Sequence, residues 1–306
     1  MRCRSIRRGG PTVWTVAWTL AALLAVSAVG AAPYANPQLL AETDELATLL
    51  GAPRMRLVDL RGDAERGEAA YRTAHVPGAV YLPARELDDP KANAAGMPIR
   101  PEHAATLFSR LGIDHDTGVI AYDDAGGVLA ARLFFVLEYY GHTRVRLLNG
   151  GLDKWRRERR AMTAESTVVE AKRFVPRARR ELVATAEEVR ESLGKEEVCL
   201  IDARSPAEYA GTDVRARRGG HIPGAQNVDW VGTLNPDQTF KSADQLRALF
   251  EAAGVRPDRQ IVTYCQSGVR AAHAYFALRL LGYARIKNYD GSSSEWGNDP
   301  ALPLAR

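Results

Sequence analysis

Cysteine and histidine are scarce in this 306-residue chain, which contains three cysteines and six histidines. The cysteines differ in setting: Cys3 is near the N-terminus, Cys199 is inside an apolar segment and Cys265 ends one. They do not have the pattern of a disulfide scaffold. The histidines are scattered and have no cysteine partner at metal-site spacing, and no glycine-rich nucleotide fingerprint follows a strand. The sequence therefore predicts no metal and no cofactor.

Neither sign of charge dominates, since 41 lysines and arginines face 37 aspartates and glutamates. Four of the arginines fall within the first eight residues, and others crowd the middle of the chain. No aromatic residues are interleaved with the central arginines, and no nucleic-acid motif accompanies them. These basic residues indicate a solvated linker, and no nucleic-acid partner is predicted.

One long hydrophobic run, Val13–Ala32, follows the N-terminal arginines. A charged region, an apolar region and small residues in that order are typical of a signal peptide. We predict such a peptide over residues 1–32, cut after Ala31 or Ala32. The run is also barely long enough to span a bilayer, so an uncleaved membrane anchor is the alternative. Either way the protein is expected to be exported, to the periplasm of a bacterium or outside the cell.

The rest of the chain is an internal duplication. Four segments recur in the same order, at offsets of 141 to 146 residues, and two tryptophans stay in register. Chance does not produce four ordered matches, so two copies of one unit are predicted. The pairs are LVDLR (57–61) with LIDAR (200–204), HVPGA (75–79) with HIPGA (221–225), VIAYDDAGG (119–127) with IVTYCQSG (261–268), and LLNGGLDKW (147–155) with NYDGSSSEW (288–296).

Each copy alternates buried strands with helices. RLVDL and GVIAY in the first copy, and VCLIDA and QIVTY in the second, are typical of buried strands. Leu129–Gly141 and Arg270–Gly282 have helical periodicity and end at a glycine, as many helices do. The pattern predicts the α/β class, with a mostly parallel sheet and helices on both faces in each copy. The predicted divisions are a first domain over 38–160, a linker over 161–181 and a second domain over 182–301.

The segment YCQSGVR places Cys265 at the carboxyl end of the strand QIVTY, where α/β sheets hold their ligands. The short loop that follows would turn several backbone N–H groups toward one point, and the next helix would add the positive end of its dipole. Such a setting favours a thiolate nucleophile. Gly268 would allow the tight turn, and Arg270 would add a fixed positive charge.

The alternative is that Cys265 is only a buried cysteine at a strand end. The residues after it are small and polar, which is unlike a core. The first copy has Asp123 at the corresponding position, in a loop one residue longer. One copy thus keeps a nucleophile and the other lacks it, and we predict that Cys265 is catalytic.

These motifs together resemble the tandem-domain rhodaneses, the thiosulfate and 3-mercaptopyruvate sulfurtransferases. DAR, GGHIPGA, YCQSGVRA and NYDGS…EW stand in the order of that family, and the similarity covers about Gln38 to Pro300. The resemblance implies two rhodanese-like domains, the first inactive. It implies that the active cysteine takes a sulfane sulfur from a small anionic donor, becomes a persulfide, and passes the sulfur to cyanide or a thiol.

By this resemblance Cys265 would carry the persulfide. Thiosulfate is the first choice of donor and 3-mercaptopyruvate the second. The residues expected to bind the donor or the outer sulfur are Gln266, Ser267, Gly268, Val269, Arg270 and Arg204.

The charges around the loop leave alternatives open. Arg204 would either contact the substrate or form a structural salt bridge with a residue such as Glu208. Glu208 stands where animal-type enzymes of the family have an arginine that grips the donor. A carboxylate there would repel the carboxylate of 3-mercaptopyruvate. Arg215, Arg217 or Arg218 would supply the missing charge or form a solvated basic loop.

Ser267 matches a serine that mercaptopyruvate enzymes pair with a histidine and an aspartate of the first domain. His75 and Asp63 are the candidates here. The second copy of the motif has His221 in place of His75, so a shared structural role in the turn explains both histidines more simply. Structural roles are also expected for Trp155 and Trp296 as core anchors and for Asp202 as a brace of the loop.

Two other functions are compatible with the same fold. Rhodanese-like phosphatases and arsenate reductases have five residues between the cysteine and the arginine, whereas this loop has four. The shorter loop should fit one sulfur atom better than a phosphoryl group. A non-catalytic binding module is the second alternative, and the intact loop from Cys265 to Arg270 argues against it.

Overall fold

Strands and helices alternate through both copies, as the duplication predicts. The computed structural model describes residues 33–62, 64–92 and 94–306. The predicted signal peptide and Asp63 lie outside the described residues. The first copy contains β1 (Leu40–Ala41), α1 (Thr43–Leu49), β2 (Met55–Asp59), α2 (Ala64–Thr73), β3 (Ala79–Tyr81), α3 (Pro101–Arg110), β4 (Gly118–Tyr122), α4 (Val128–Tyr139), β5 (Val145–Leu148) and α5 (Gly151–Arg157).

The second copy, all of whose residues the structure describes, repeats this order from the first helix onward, without a strand that corresponds to β1. Short 3-10 turns at Pro37–Leu39, Ala84–Leu87, Arg180–Leu182 and Trp230–Thr233 connect elements in both copies. The second copy contains α6 (Ala186–Ser192), β6 (Val198–Asp202), α7 (Pro206–Tyr209), β7 (Gln226–Asn227), α8 (Ala243–Ala252), β8 (Gln260–Tyr264), α9 (Val269–Leu280), β9 (Ile286–Asn288) and α10 (Ser292–Trp296).

The strands form two sheets whose pairs are parallel, in the orders β1-β5-β4-β2-β3 and β7-β6-β8-β9. The parallel α/β prediction is confirmed. Where β1 pairs with β5 in the first sheet, the second has only a parallel bridge between Val183 and Asn288. In each sheet the strand that leads to the loop of interest, β4 or β8, lies between two other strands. Both ends of these loops are therefore fixed by buried backbone.

The helices α4 and α9, which follow those two strands, pack against each other and join the two copies. The rings of Phe134 and Phe276 meet edge to face, with centroids 4.9 Å apart. Glu138 of α4 is buried and accepts hydrogen bonds from Tyr275 (2.9 Å) and Arg279 (2.8 Å) of α9. Most residues of both helices are therefore buried, because each helix is covered by the other copy.

The segment predicted as a linker is partly anchored. Thr163 and His75 exchange backbone hydrogen bonds of 2.8 Å, and the ring of Phe174 packs on Phe108 at 4.9 Å. Among the described helices, none has the length and apolar character that a bilayer span requires.

Candidate active site

Cys265 is the first residue after β8, and its side chain is only 1% exposed. The turn to α9 is made at Gly268, which has φ +77° and caps the helix. A side chain at this position would meet Asp290, because a Cβ would lie 2.3 Å from its Oδ1 atom. Both the positive φ and the lack of space require glycine here. The loop thus holds the cysteine at the carboxyl edge of the sheet.

Ser292, the first residue of α10, holds this loop in place. Its Oγ accepts the N–H of Cys265 (3.0 Å) and of Gly268 (3.2 Å) and donates to the carbonyl of Tyr289 (2.7 Å). Sequence reasoning missed Ser292. A comparison of the two copies could have found it. The first copy has Gly151 where the second has Ser292, just as it has Asp123 where the second has Cys265.

The remaining amides of the loop are available for a ligand. Because Gly268 already donates to Ser292, its N–H is committed to holding the loop. The backbone N–H groups of Arg270 and Ala271, in the first turn of α9, make no hydrogen bond within the described part of the chain. The same is true of the amides of Gln266 and Ser267. These donors and the N-terminus of α9 are the groups from which the sequence predicts an anion-binding nest.

The first copy shows this kind of loop with an anionic side chain inside it. The carboxylate of Asp123 accepts N–H groups of Ala125, Gly127, Leu129 and Ala130 at 2.8 to 2.9 Å. Burial raises the pKa of Asp123, and the four amide donors act against that rise. The nest of the first copy is therefore filled by the residue that replaces the cysteine.

The glycines that cap α4 and α9 show which residues of the two loops correspond to each other. Gly127 has φ +83° and Gly268 has φ +77°, and each is followed directly by its helix. The amides of Leu129 and Ala130 therefore correspond to those of Arg270 and Ala271. Ala271 was not among the predicted site residues, which ended at Arg270.

Arg270 and Glu208 form a bidentate pair beside the cysteine. The two N–O distances are 2.6 and 2.8 Å, and the side chain of Glu208 is 1% exposed. Burial acts to raise the pKa of Glu208, but the hydrogen bonds and charge of Arg270 outweigh it and lower the pKa to about 2. Burial acts to lower the pKa of Arg270, and Glu208 and the charge of Cys265 raise it. Glu208 therefore neutralises Arg270.

The three basic residues before GGHIPGA have different positions. Arg215 is about half exposed, and its Nε lies 3.6 Å from Glu208 Oε1. Arg218 donates to the carbonyls of Trp296 (3.0 Å) and Leu302 (2.9 Å). Arg217 donates its backbone N–H to Asn298 at 2.8 Å. Of the three, Arg215 is the one that adds charge to the Arg270–Glu208 pair.

Arg204 makes a structural salt bridge, with a different partner from the one suggested by the sequence. It is 4% exposed and binds Asp202 at 2.6 Å through Nη2, not Glu208. Arg61 binds Asp59 in the same way, also at 2.6 Å, in the copy without the cysteine. Because the pair is present in both copies, the structure favours the structural alternative for Arg204 over substrate contact.

His75 and His221 also have equivalent structural positions. His75 stacks on Tyr71 with centroids 3.8 Å apart, and His221 stacks on Tyr209 at 3.7 Å. Nδ1 of each ring lies within 2.9 Å of the carbonyl oxygen of the same tyrosine. These contacts support the shared role in the turn, and they leave Ser267 without His75 as a catalytic partner.

The three tryptophans among the described residues are of two kinds. Trp155 and Trp296 are each 1% exposed and donate to backbone carbonyls at 2.9 and 2.7 Å, as expected of core anchors. Trp230 is partly exposed and packs on the small apolar cluster that contains Cys265 and Ala271. Trp230 therefore belongs to the apolar surroundings of the cysteine, and no motif in the sequence indicated it.

Comparison with known proteins identifies the family of this chain. A family model described as a rhodanese-like domain matches residues 42–158 and 185–299. The sulfur carrier protein TtuD of Thermus thermophilus is 40% identical over 287 residues, which cover 89% of this chain and 98% of that protein. The thiosulfate sulfurtransferase of Pseudomonas aeruginosa is 34% identical over 277 residues, with the same two coverages.

Solved structures give the same result. The crystal structure of SseA from Escherichia coli, described as a 3-mercaptopyruvate sulfotransferase, matches with a TM-score of 0.74 and 30% identity over 83% of this chain and 98% of that one. A complex of EanB with ergothioneine matches with a TM-score of 0.78 and 26% identity over 88% of this chain and 70% of that one. The chain therefore belongs to the rhodanese family and is a sulfurtransferase with two rhodanese-like domains.

Proposed function

We propose that Cys265 carries a sulfane sulfur from thiosulfate to a thiophilic acceptor. The thiolate of Cys265 attacks the outer sulfur of thiosulfate, a new S–S bond forms, and the old S–S bond breaks with its electron pair leaving on sulfite. The resulting persulfide anion is attacked at its outer sulfur by cyanide or a thiolate. Cyanide leaves as thiocyanate and regenerates the Cys265 thiolate, so atoms and charge balance over the cycle.

The observation that carries this proposal is the filled loop of the first copy. The Asp123 carboxylate accepts four amide N–H groups there, so a loop of this design holds one negative charge at its centre. In the second loop the same centre would be occupied by the outer sulfur of the persulfide. The amides of Arg270 and Ala271, with those of Gln266 and Ser267, would stabilise its charge. The first domain would then be non-catalytic, as the sequence predicts.

The size of the loop favours sulfur over phosphate. Four residues separate Cys265 from Arg270, and Arg270 is turned to Glu208 with both of its terminal nitrogens. A phosphoryl group needs several convergent donors and a free guanidinium. A single sulfur atom needs only the amide ring. A phosphatase or arsenate reductase is therefore the weaker alternative.

Thiosulfate remains the first choice of donor and 3-mercaptopyruvate the second. Several relatives are named thiosulfate sulfurtransferases, while the SseA structure supports the second donor. The pairing of His75 with backbone carbonyls argues against the serine–histidine–aspartate arrangement in this chain. Arg215 would attract either anion weakly, because it is about half exposed next to the Arg270–Glu208 pair but also binds Asp213 at 3.1 Å.

We also propose that the protein works outside the cytoplasm. The support is the sequence alone: arginines, the apolar run Val13–Ala32 and small residues in the order of a signal peptide. If the peptide is not cut, the same run would anchor the protein in the membrane. N-terminal sequencing of protein from the periplasmic or culture fraction distinguishes the two, since cleavage would begin the mature chain at Ala32 or Pro33.

The proposal is tested by replacing the nucleophile. Cys265→Ser should abolish thiosulfate–cyanide sulfur transfer, and wild-type protein treated with thiosulfate should gain the mass of one sulfur atom on the peptide that contains Cys265. Cys199→Ser is the matched control, because Cys199 lies at the other end of the sheet in β6 and should keep full activity. Transfer that persists in Cys265→Ser would show that the mechanism is wrong. A tenfold or greater preference for 3-mercaptopyruvate would reverse the ranking of donors.

A further inference from the structure

One buried arginine of the first domain binds a residue that contacts the Cys265 loop of the second. Arg132 lies on α4 and its side chain is 1% exposed. Its Nη1 donates to Asp290 Oδ1 at 2.7 Å, across the two copies. Its Nη2 donates to the carbonyl of Gly96 at 2.5 Å and to Asp88 Oδ1 at 3.1 Å. One guanidinium therefore joins two segments of the first domain to one of the second.

Asp290 is in direct contact with the loop. It follows β9 and its Oδ1 atom occupies the space where a side chain of Gly268 would be, 2.3 Å from an ideal Cβ. Asn288 connects the same two residues, since its Nδ2 donates to Asp290 Oδ1 (2.8 Å) and to the carbonyl of Gly268 (3.2 Å). The position of the carboxylate and the position of the loop therefore depend on each other.

Gly96 contacts the neighbouring residue of the loop from the first domain. It has φ +83°, and an ideal Cβ on it would lie 1.9 Å from the carbonyl oxygen of Ser267. A second contact nearby joins Ser294 Oγ to the carbonyl of Ala95 at 3.2 Å. Since Arg132 binds the Gly96 carbonyl, it holds this segment against the loop.

The charge of Asp290 makes Arg132 necessary. Asp290 is fully buried, and its Oδ2 atom has no hydrogen-bond partner among the described residues. Burial raises the pKa of Asp290 to about 6, and Arg132 limits that rise. The other charged or titratable groups that face it are Asp88 and Tyr139, and neither is positive. Without Arg132, a buried carboxylate beside the anion-binding loop would have no compensating charge.

We propose that Arg132 and Asp290 are positioning residues for sulfur transfer. Arg132 holds Gly96 and Asp290 against the loop at Ser267 and Gly268, and it cancels a negative charge that would otherwise repel the donor and the persulfide. The inactive domain thereby supplies a working part of the active site. This inference rests on the proposed role of the Cys265 loop.

The test is Arg132→Gln in the full chain, assayed with thiosulfate and cyanide at pH 6 and pH 9. Arg279→Gln is the matched control, because Arg279 forms another ion pair between the copies, with Glu138 at 2.8 Å, far along α9 from the loop. We expect Arg132→Gln to raise KM for thiosulfate about tenfold at pH 9, with a smaller effect on kcat, because a binding interaction with an anion is weakened. Arg279→Gln should stay within about twofold of wild type.

The pH dependence separates an electrostatic role from a structural one. In Arg132→Gln the pKa of Asp290 rises further, so its negative charge appears only as pH increases, and the loss should be larger at pH 9 than at pH 6. The double variant Arg132→Gln with Asp290→Asn carries no such charge, so its loss should be equal at both pH values. If Arg132→Gln does not fold, Arg132→Lys carries the test, since it keeps the charge but cannot bind Asp290 and Gly96 together.

The proposal would be overturned if Arg132→Gln had the same KM as Arg279→Gln. The same holds for Arg132→Lys if that variant replaces Arg132→Gln. A loss that is the same at both pH values in the single variant would also overturn it. Cys265→Ser keeps this result separate from the proposed function. If Cys265→Ser is inactive while Arg132→Gln behaves as the control, only the positioning role fails. If Cys265→Ser is active, the proposed function fails.

Discussion

Charge near Cys265 is adjusted by single residues rather than by a general basic patch. Arg270 would be a strong anion-binding group, but both terminal nitrogens contact Glu208. Arg204 is likewise occupied by Asp202. The neutral amides of the loop are then the main attraction for a donor, and Arg215, which is half exposed and bound to Asp213 at 3.1 Å, adds a weaker one. The site suits a small soft anion better than a highly charged one.

A prediction at this scale concerns Glu208→Gln. The amide keeps the hydrogen bond to Ser205 that caps α7, but it no longer neutralises Arg270. KM for thiosulfate should fall about threefold, because the freed guanidinium attracts the dianion, and the gain should shrink at high salt. Steady-state kinetics at two ionic strengths measure this. Asp213→Asn, which alters an exposed partner of Arg215, is the comparison. An unchanged or higher KM in Glu208→Gln would contradict the argument.

At the scale of elements, the same strand–loop–helix unit has two forms. In the first copy Asp123 fills the nest with its own carboxylate, and Gly151 lies so close that a Cβ would be 2.5 Å from the Asp123 carbonyl. In the second copy Ser292 replaces that glycine, and its hydroxyl holds the backbone of Cys265. The first loop is thus held by the side chain of Asp123, while the second is held by Ser292 from outside the loop.

Asp123→Ala tests the first form. The change leaves four amide N–H groups without their acceptor, and we expect a loss of about 2–4 kcal/mol in the free energy of unfolding. Sulfur transfer by the folded protein should be unchanged, because the nest of the second domain is intact. Urea unfolding measures the loss of stability, and steady-state kinetics measure sulfur transfer. The exposed neighbour Asp124→Ala should cost far less, and equal losses for the two variants would show that the carboxylate has no special role.

At the scale of the whole molecule, the two domains share one hydrophobic core. The cluster around α4 and α9 contains Phe134 and Leu137 from the first copy and Phe276 and Leu280 from the second. Glu138 adds buried hydrogen bonds from Tyr275 and Arg279 across the same boundary. If one domain unfolded alone, the apolar surface that it covers on the other would be exposed to water. The two domains should therefore unfold together.

Phe276→Ala tests this coupling. Its ring is fully buried against Phe134, and the truncation should cost about 3–5 kcal/mol. Calorimetry should show a single transition in the wild type and a single transition at lower temperature in the variant. Phe108→Ala, which removes a core ring of the first copy, should move the same transition. Two separate transitions, of which only one moves, would indicate that the domains are independent.

Much of the fold was accessible from local patterns. The segments GVIAY and QIVTY match β4 and β8, and the helices after them begin one residue earlier than predicted and end before Gly141 and Gly282. Strand alternation and helix-terminating glycines act between near neighbours, so a sequence displays them directly. The repeat and the position of Cys265 at a strand end follow from the same kind of information.

The sequence by itself determined the duplication, the α/β class, the family and the residue expected to carry the sulfur. Only the tertiary structure decided which charges meet: Arg270 with Glu208, Arg204 with Asp202, and Arg132 with Asp290. The physical reason is that the chain has 41 basic and 37 acidic side chains, and charge alone does not select one partner among them. Partners up to 158 residues apart are chosen by how the two sheets and their shared helices pack.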